Sequence, residues 1–292
     1  MPSREACWIV GGLLAAVSLA SGIGQWLRWR QPQSSTIANL NARIRAWWVL
    51  IAVGGGALLA GPVALLVMFA CISMVALHEM LSGTVPRVER WLCLFVAVPV
   101  QYLLIWLGRF DLFALWIPVC CLLALVTRGA LKRGLMLCVF CLSHIPALLL
   151  VAIPGYEGRA PLLMAFLVTI AQSSDVLQYV WGKLIGRHFL MPAISPSKTV
   201  EGLVGGVLSA TALGMLLAPI TPFTRWQAAG MALLVAVSGF LGGVLMSAMK
   251  RQRGLKDWGR LIAGHGGMLD RVDSLCVSAP VFFYATWWLF RY

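Results

Sequence analysis

Ten long apolar runs follow one another along this 292-residue chain, and they constrain its fold more than any other feature. Each run approaches the roughly 20 residues that an α-helix needs to cross the hydrocarbon core of a bilayer. The runs cover residues 7–27, 46–61, 62–77, 91–107, 111–127, 135–153, 162–184, 201–219, 228–248 and 275–290. Only 11% of the residues are charged, whereas soluble domains average about 25%. The pattern predicts an all-α, polytopic membrane bundle with about nine or ten transmembrane helices.

The first three runs raise two questions about the span count. Gly61 and Pro62 alone separate the second run from the third, so this boundary is the weakest point of the count. The first run has the length of a secretion signal, but residues 25–28 (QWLR) lack the small-residue pattern of a cleavage site. We therefore expect the first run to be a retained transmembrane helix.

Basic residues are distributed unevenly among the loops between the runs. Loops after odd-numbered runs hold 18 of the 23 Lys and Arg residues. Because cytoplasmic loops are enriched in Lys and Arg, we expect those loops in the cytoplasm and both termini outside a bacterial-type inner membrane. The net charge of +13 is then mainly topogenic and requires no nucleic acid. It also suits contact with anionic membrane lipids at the inner surface.

Acidic residues are scarce, which makes their positions informative. Five of the ten stand in the last 120 residues: Asp175, Glu201, Asp257, Asp270 and Asp273. Asp175 interrupts the seventh run, and a carboxylate within a membrane span indicates a functional site by default. The alternative is a structural contact in which Asp175 and its neighbours Gln172, Ser173 and Ser174 join two helices. Glu79, at the end of the third run, is either structural or a rim group of a site.

Two polar segments in the C-terminal half carry groups suited to a polyphosphate. The first, residues 182–202, offers hydroxyl, ammonium and guanidinium groups among glycines: Lys183, Arg187, Ser195, Lys198 and Thr199. These are donors that phosphate oxygens accept, although the same residues are also common in ordinary connecting loops. The second segment, residues 247–273, is rich in cations: Lys250, Arg251, Arg253, Lys256, Arg260 and Arg271.

The second segment also supplies two carboxylates and a glycine-rich turn. Asp270 and Asp273 share a helix face at a spacing of three residues, which suits a Mg²⁺ ion held jointly with substrate oxygens. The alternative for Asp273 is an N-cap of the last helix. Around His265, the glycines of residues 264–267 (GHGG) favour close approach of the backbone to a ligand.

Together these segments resemble a known enzyme family. Residues 250–273 (KRQRGLKDWGRLIAGHGGMLDRVD) are similar to the signature of the CDP-diacylglycerol synthases, also called phosphatidate cytidylyltransferases. Residues 195–202 (SPSKTVEG) resemble the Ser-Pro-Lys-Lys-Thr-x-Glu-Gly motif of that family, and residues 174–182 resemble the segment before it. The resemblance covers about 100 residues in the expected order.

The resemblance implies a membrane enzyme that joins CTP to phosphatidate and releases pyrophosphate. It implies a helical bundle, a homodimer, a cleft open to the cytoplasm and a requirement for Mg²⁺. We expect one membrane domain, 1–292, with structural, lipid-facing or dimer-forming helices in 1–160 and catalytic helices and loops in 161–292.

Residue roles follow from the resemblance by position. The expected metal ligands are Asp175, Asp270 and Asp273. The expected catalytic residues are Lys198, Lys250, Arg251, Lys256, Asp257, His265 and Arg271. The expected substrate-binding residues are Ser195, Lys198, Thr199, Gly266 and Gly267.

Three positions depart from the family pattern. Ser197 stands where a second lysine is usual, Ala263 where proline is usual, and Gly243 where a metal-binding aspartate is usual. Gly243 keeps open the alternative of a non-catalytic, lipid-binding relative, and another phosphorylated alcohol is an alternative substrate. A transporter fits less well, because the chain lacks the internal repeat with interrupted helices that many transporters have.

The uneven distribution of charge makes a testable prediction about topology. A reporter fused after Tyr292 should be active in the periplasm, and one inserted near Arg260 should be inactive there, because the basic loops stay in the cytoplasm. Alkaline phosphatase activity of the two fusions measures this directly. The reverse pattern would contradict the orientation.

Overall fold

The computed structural model describes residues 4–123, 129–259 and 266–291. Within these ranges the chain is almost entirely helical, and a single antiparallel pair of short strands is the exception. This result confirms the predicted all-α, polytopic fold class. The predicted site residue His265 and the cation Arg260 lie outside the described residues.

Two π-helical stretches and a 3₁₀ turn accompany the described helices of the first half. The helices are α1 (Arg4–Arg30), α2 (Ser35–Ala60), α3 (Pro62–Leu81), α4 (Arg87–Leu92), α5 (Val98–Trp106), α6 (Phe110–Leu123), α7 (Gly129–Gly134) and α8 (Leu142–Ala147). A π-helical stretch, Cys93–Ala97, joins α4 to α5, and another, Leu135–Cys141, joins α7 to α8. A 3₁₀ turn, Leu148–Leu150, follows α8.

The second half carries the only strands of the described chain. Its elements are α9 (Ala160–Ile185), β1 (Phe189–Met191), β2 (Ser195–Thr199), α10 (Val200–Leu216), α11 (Arg225–Gln252), α12 (Leu269–Val272) and α13 (Leu275–Leu289). A 3₁₀ turn, Ala218–Ile220, lies between α10 and α11. Strands β1 and β2 pair antiparallel, with Phe189 opposite Thr199 and Met191 opposite Ser195.

Where the structure describes them, the ten apolar runs correspond to helices or helical stretches. Seven described helical stretches are long and apolar enough to cross a membrane, and Phe110–Leu122 and Val200–Leu216 are shorter apolar helices. The last run corresponds to the 15-residue helix α13. Helix α2 begins at Ser35, before the predicted run at 46, because helical structure continues through polar residues that hydropathy does not register.

The uncertain boundary at Gly61 and Pro62 is a true helix break. Gly61 has a φ of 103°, a conformation that favours glycine, and its amide closes α2 by donating to the Ala57 carbonyl at 3.1 Å. Pro62 then begins α3, where its missing N–H costs no helical hydrogen bond. The second and third runs are therefore two helices, as predicted.

Glycines allow the C-terminal helices to pack closely. A Cβ atom added at Gly206 of α10 would lie 2.7 Å from the backbone nitrogen of Gln178 in α9. A Cβ atom at Gly242 of α11 would lie 2.8 Å from the carbonyl oxygen of Asp273. Small residues permit such contacts between membrane helices, and this packing brings α9, α10, α11 and the start of α13 together.

Candidate active site

Charged side chains from four elements of the C-terminal half converge beside this tightly packed region. Helix α9 supplies Asp175, β2 supplies Lys198, and the last turns of α11 supply Lys250. Asp270 lies in α12, and Asp273 lies at the C-terminal cap of that short helix. The structure therefore unites groups that stand nearly 100 positions apart in the sequence.

Lys198 occupies the middle of the cluster. Its ammonium nitrogen lies 4.4 Å from the centroid of the Phe240 ring, a distance typical of a cation–π contact. Burial lowers the pKa of Lys198, while the nearby carboxylates of Asp175 and Asp273 oppose that decrease. A Cβ atom added at Gly243 would lie 3.1 Å from the Lys198 nitrogen. The Lys198 ammonium group therefore borders the space above Gly243.

Asp270 and Lys250 form a buried ion pair. The Lys250 nitrogen lies 2.7 Å from Asp270 Oδ1, and the two side chains are 11% and 5% exposed. The other oxygen of Asp270, Oδ2, accepts hydrogen bonds from the backbone amides of Trp258 at 2.8 Å and Gly267 at 2.9 Å. Both carboxylate oxygens are therefore engaged by protein groups.

Asp175 and Asp273 make a second, differently arranged carboxylate pair. The two charges interact directly, and Lys198 and Arg271 act on Asp175 with the opposite sign. Asp273 Oδ1 accepts a hydrogen bond from the next backbone amide, that of Ser274, at 2.8 Å. Burial raises the pKa of Asp273, and the Lys250 and Lys198 ammonium groups oppose that rise. Repulsion between neighbouring like charges disfavours ionisation of both carboxylates, and a cation bound between them would relieve it.

The donor set fits a magnesium ion shared with a substrate. Mg²⁺ usually binds one or two protein carboxylates and completes its octahedron with water and phosphate oxygens. Asp175 and Asp273 can supply such a pair, whereas Asp270 is committed to Lys250 and two amides. Among the described residues, no group of three or more His, Cys, Asp or Glu side chains is arranged to hold a metal ion. The role of Asp270 as a third ligand stays a prediction, and the geometry favours the other two.

Three predicted site residues, Arg251, Lys256 and Asp257, belong to the end of α11 and the loop that follows it. Arg251 donates to the carbonyl oxygens of Ile194 at 3.3 Å and Leu255 at 3.1 Å. Lys256 and Asp257 are exposed at the surface of the loop after α11. Their catalytic roles stay predictions, because no contact of the described residues links them to Asp175 or Lys198.

The Ser-Pro-Ser-Lys-Thr segment has a local structural role as well. Thr199 is the N-cap of α10, and its hydroxyl oxygen accepts a hydrogen bond from the Gly202 amide at 3.1 Å. Glu201 accepts hydrogen bonds from the amides of Arg187 at 3.1 Å and His188 at 3.3 Å. The Glu201 contacts hold the segment before β1 against the start of α10, and β2, which carries Lys198, pairs with β1. Ser195 begins β2 and is partly buried.

Arg271 lies in α12, and Gly266 lies in the loop before that helix. The backbone carbonyl of Arg271 accepts a hydrogen bond from the Gln172 side chain at 3.0 Å, which joins α12 to α9. Gly266 has a φ of 81°, so a residue with a side chain would be strained there. A Cβ atom at Gly266 would also lie 2.8 Å from Asp270 Oδ2. The glycine therefore allows the loop to pass close to the buried ion pair.

Sequence patterns did not reveal the contacts of Phe240 and Arg253 at the site. Phe240 stands in an apolar run and has no polar neighbour to distinguish its ring from other lipid-soluble side chains. Arg253 donates to the carbonyl oxygen of Met80 at 2.6 Å and lies over the Trp258 ring at 5.0 Å. Only its membership of a basic cluster was visible in the sequence.

Comparisons with known proteins identify a family and several relatives of this chain. The sequence matches the cytidylyltransferase family over residues 41–289. It is 40% identical over 288 residues to uncharacterized protein YnbB of Escherichia coli (strain K12), covering 93% of this chain and 95% of that protein. It is 30% identical over 236 residues to a phosphatidate cytidylyltransferase of Staphylococcus aureus (strain COL), covering 77% of this chain and 90% of that protein. A phosphatidate cytidylyltransferase of Staphylococcus haemolyticus (strain JCSC1435) is 29% identical over the same length.

Asp270, which is paired with Lys250, and Asp273, which is not in that ion pair, should contribute differently to the stability of the fold. Asp270→Asn should lower the free energy of unfolding by about 3 kcal/mol, because it leaves the buried Lys250 charge without its partner. Asp273→Asn should cost much less, because burial already disfavours the charged form of that group. Thermal unfolding of the detergent-solubilised variants measures the difference. Equal stability of the two variants would contradict the assignment of Asp270 as the counter-ion of Lys250.

Proposed function

Because this chain belongs to the cytidylyltransferase family, we propose that it transfers a cytidylyl group from CTP to phosphatidate, giving CDP-diacylglycerol and pyrophosphate. The observation that carries the proposal is the cluster of Asp175, Asp273, Lys198 and Lys250 within a multi-pass membrane protein. The 30% identity to a phosphatidate cytidylyltransferase supports the choice of a lipid phosphate as acceptor.

The proposed reaction is an in-line displacement at phosphorus. An oxygen of the phosphatidate phosphate forms a bond to the α-phosphorus of CTP, and the bond from that phosphorus to the β-phosphate bridging oxygen breaks. Pyrophosphate leaves with the electron pair, so no covalent enzyme intermediate is required. The protein therefore has two tasks, which are to position two anions and to offset their charge.

The residues of the cluster suit these two tasks. Lys198 would contact phosphate oxygens from its position between the carboxylates and Phe240, and its reduced hydration would strengthen that contact. Lys250, fixed by Asp270, would present a rigid positive charge to the same phosphates. Bound Mg²⁺, held by Asp175 and Asp273, would withdraw charge from the phosphate oxygens. Arg251, Lys256 and Arg271 are proposed to offset the remaining charge.

The depth of the site is consistent with a lipid substrate. Asp175 lies ten residues before the end of α9, or about 15 Å along a helix. Apolar side chains of α9 and α10 nearby are exposed, including Tyr179, Val180 and Val204, as expected for surfaces that face lipid. Phosphatidate would thus reach the site from the bilayer while CTP enters from the aqueous side. We propose that this side is the cytoplasm, and the homodimer stays a prediction.

One observation favours a second candidate function. Gly243 supplies no carboxylate at a position where the resemblance implies a metal ligand, and the Lys198 ammonium group borders the space instead. A relative without activity could still bind an anionic lipid through Lys198 and Lys250. Product formation separates the two candidates, because only the enzyme yields a nucleotide-linked lipid.

The activity itself is tested with purified protein, radiolabelled CTP, Mg²⁺ and phosphatidate. We expect a lipid-soluble labelled product, and Asp175→Asn should reduce its rate by roughly 100-fold or more, since a charge that binds the metal is lost. Glu157→Gln, in the loop before α9, is the matched control and should retain the wild-type rate. Absence of product from the wild type would leave the lipid-binding alternative.

The space above Gly243 makes a second prediction for this reaction. Gly243→Asp should raise the rate and lower the Mg²⁺ concentration for half-maximal activity, because it adds a carboxylate beside the phosphate site. One such contact contributes on the order of 2 kcal/mol, or roughly thirtyfold. Gly243→Asn, which adds similar volume without charge, should give no gain. Saturation of the wild type by micromolar Mg²⁺ would contradict the prediction.

A further inference from the structure

Glu79 joins the N-terminal half of the chain to the loop that carries the site. It lies in the last turn of α3, and its two carboxylate oxygens accept different backbone hydrogen bonds. Oε1 accepts from the Met268 amide and Oε2 from the Leu269 amide, both at 2.9 Å. Met268 and Leu269 are the two residues before Asp270. The Glu79 carboxylate therefore fixes the backbone next to Asp270.

Two glycines make room for the Glu79 carboxylate. A Cβ atom added at Gly267 would lie 2.6 Å from its carboxyl carbon, and one added at Gly259 would lie 2.6 Å from Oε1. Real Cβ atoms do not approach other atoms so closely, so side chains at these positions would displace the carboxylate. The side of Gly267 on which a Cβ atom would stand is occupied by Glu79, and the predicted role of Gly267 in substrate binding stays a prediction.

A second contact joins the end of α3 to the segment between α11 and α12. Arg253, which caps α11, donates to the carbonyl oxygen of Met80, the residue after Glu79. Arg253 also lies over the ring of Trp258, whose amide donates to Asp270. Helix α3 therefore holds both the beginning and the end of the segment that connects α11 to α12.

These contacts form a continuous chain from Glu79 to the charges of the site. Glu79 fixes the backbone around Met268 and Leu269, and the neighbouring Gly267 amide donates to Asp270 Oδ2. Asp270 Oδ1 in turn orients the Lys250 ammonium group at 2.7 Å. No contact of Glu79 in the described structure reaches Lys198 or Asp175 directly. Its influence on phosphate binding must pass through Asp270 and Lys250.

We propose that Glu79 is a positioning residue of this enzyme, which holds the loop backbone so that the Asp270–Lys250 pair meets the phosphates in one fixed arrangement. The inference rests on the proposed cytidylyl transfer for its kinetic consequence, whereas the anchoring of the loop is independent of that reaction. A carboxylate that accepts two amide hydrogen bonds is a strong, charge-assisted anchor. Loss of such supporting contacts typically reduces activity on the order of 10-fold to 100-fold.

The test compares Glu79→Gln with the wild type in two measurements. Glutamine keeps the volume, but its NH₂ group cannot accept, so one of the two amide hydrogen bonds is lost. We expect kcat to fall about 10-fold to 100-fold while the KM for CTP changes less than about threefold, since the residue does not touch substrate. Hydrogen–deuterium exchange should become faster at the Met268 and Leu269 amides.

Matched variants separate anchoring from a general loss of folding. Glu157→Gln is the carboxylate control, because Glu157 also accepts a loop amide hydrogen bond, from Gly155 at 3.0 Å, near the opposite end of α9. It should change neither kcat nor exchange at residues 268 and 269. Gly259→Ala places a methyl group against Glu79 Oε1 and should displace the carboxylate. It should therefore reproduce the Glu79→Gln phenotype. Gly230→Ala, where an added Cβ meets nothing within 4 Å, is its control.

The outcomes distinguish failure of this inference from failure of the proposed function. An active wild type with unchanged kcat in Glu79→Gln would overturn the positioning role, as would unchanged exchange at residues 268 and 269. If the wild type forms no product from CTP and phosphatidate, the proposed function fails, and the exchange measurement alone then decides whether Glu79 anchors the loop. A fall in kcat together with faster exchange supports the inference.

Discussion

The cost of keeping charge in a poorly hydrated environment governs the C-terminal half of this protein. An uncompensated ion in such a place costs several kcal/mol, so each buried charge must meet a partner or a ligand. The Asp270–Lys250 pair satisfies this requirement within the protein. Two backbone amides donate hydrogen bonds to the other oxygen of Asp270. The Asp175–Asp273 pair differs, because its two carboxylates repel each other while both interact with the Lys198 ammonium group, and Lys250 and Arg271 each act on one of them. Binding of a cation between the two carboxylates would relieve that repulsion.

Close packing of helices keeps these charges in fixed positions. Glycines on α10 and α11 allow backbones to approach so closely that a single added methyl group would collide with a neighbouring helix. The β1–β2 hairpin then directs Lys198 towards α11, and helix α3 holds the start of α12 through Glu79. The N-terminal half is thus more than a membrane anchor, since one of its helices supports the loop of the site. A preformed arrangement matters because phosphoryl chemistry depends mainly on position and electrostatics.

Much of the candidate site could be predicted from the sequence, but not how its residues are paired. Asp175 was conspicuous as a carboxylate within an apolar run, and the structure brings it together with Asp273 and Lys198. Asp270 looked equivalent to Asp273 because the two share a helix face, yet one is paired with Lys250 and the other faces Asp175. Thr199 was expected to contact substrate and is the N-cap of α10. Glu79 remained ambiguous until its two amide partners, nearly 190 positions away, were known.

The sequence by itself determined the fold class and the approximate positions of the long apolar helices that the structure describes, because the hydrocarbon core requires long apolar segments with internally satisfied backbones. It also determined the family, because the charged motifs of residues 195–202 and 250–273 stand out against an apolar background. Only the tertiary structure decided which carboxylate has a cationic partner, which glycines make room for Glu79, and that Lys198 borders Gly243. These facts depend on distances between segments far apart in the chain, and hydropathy and local spacing contain no information about such distances.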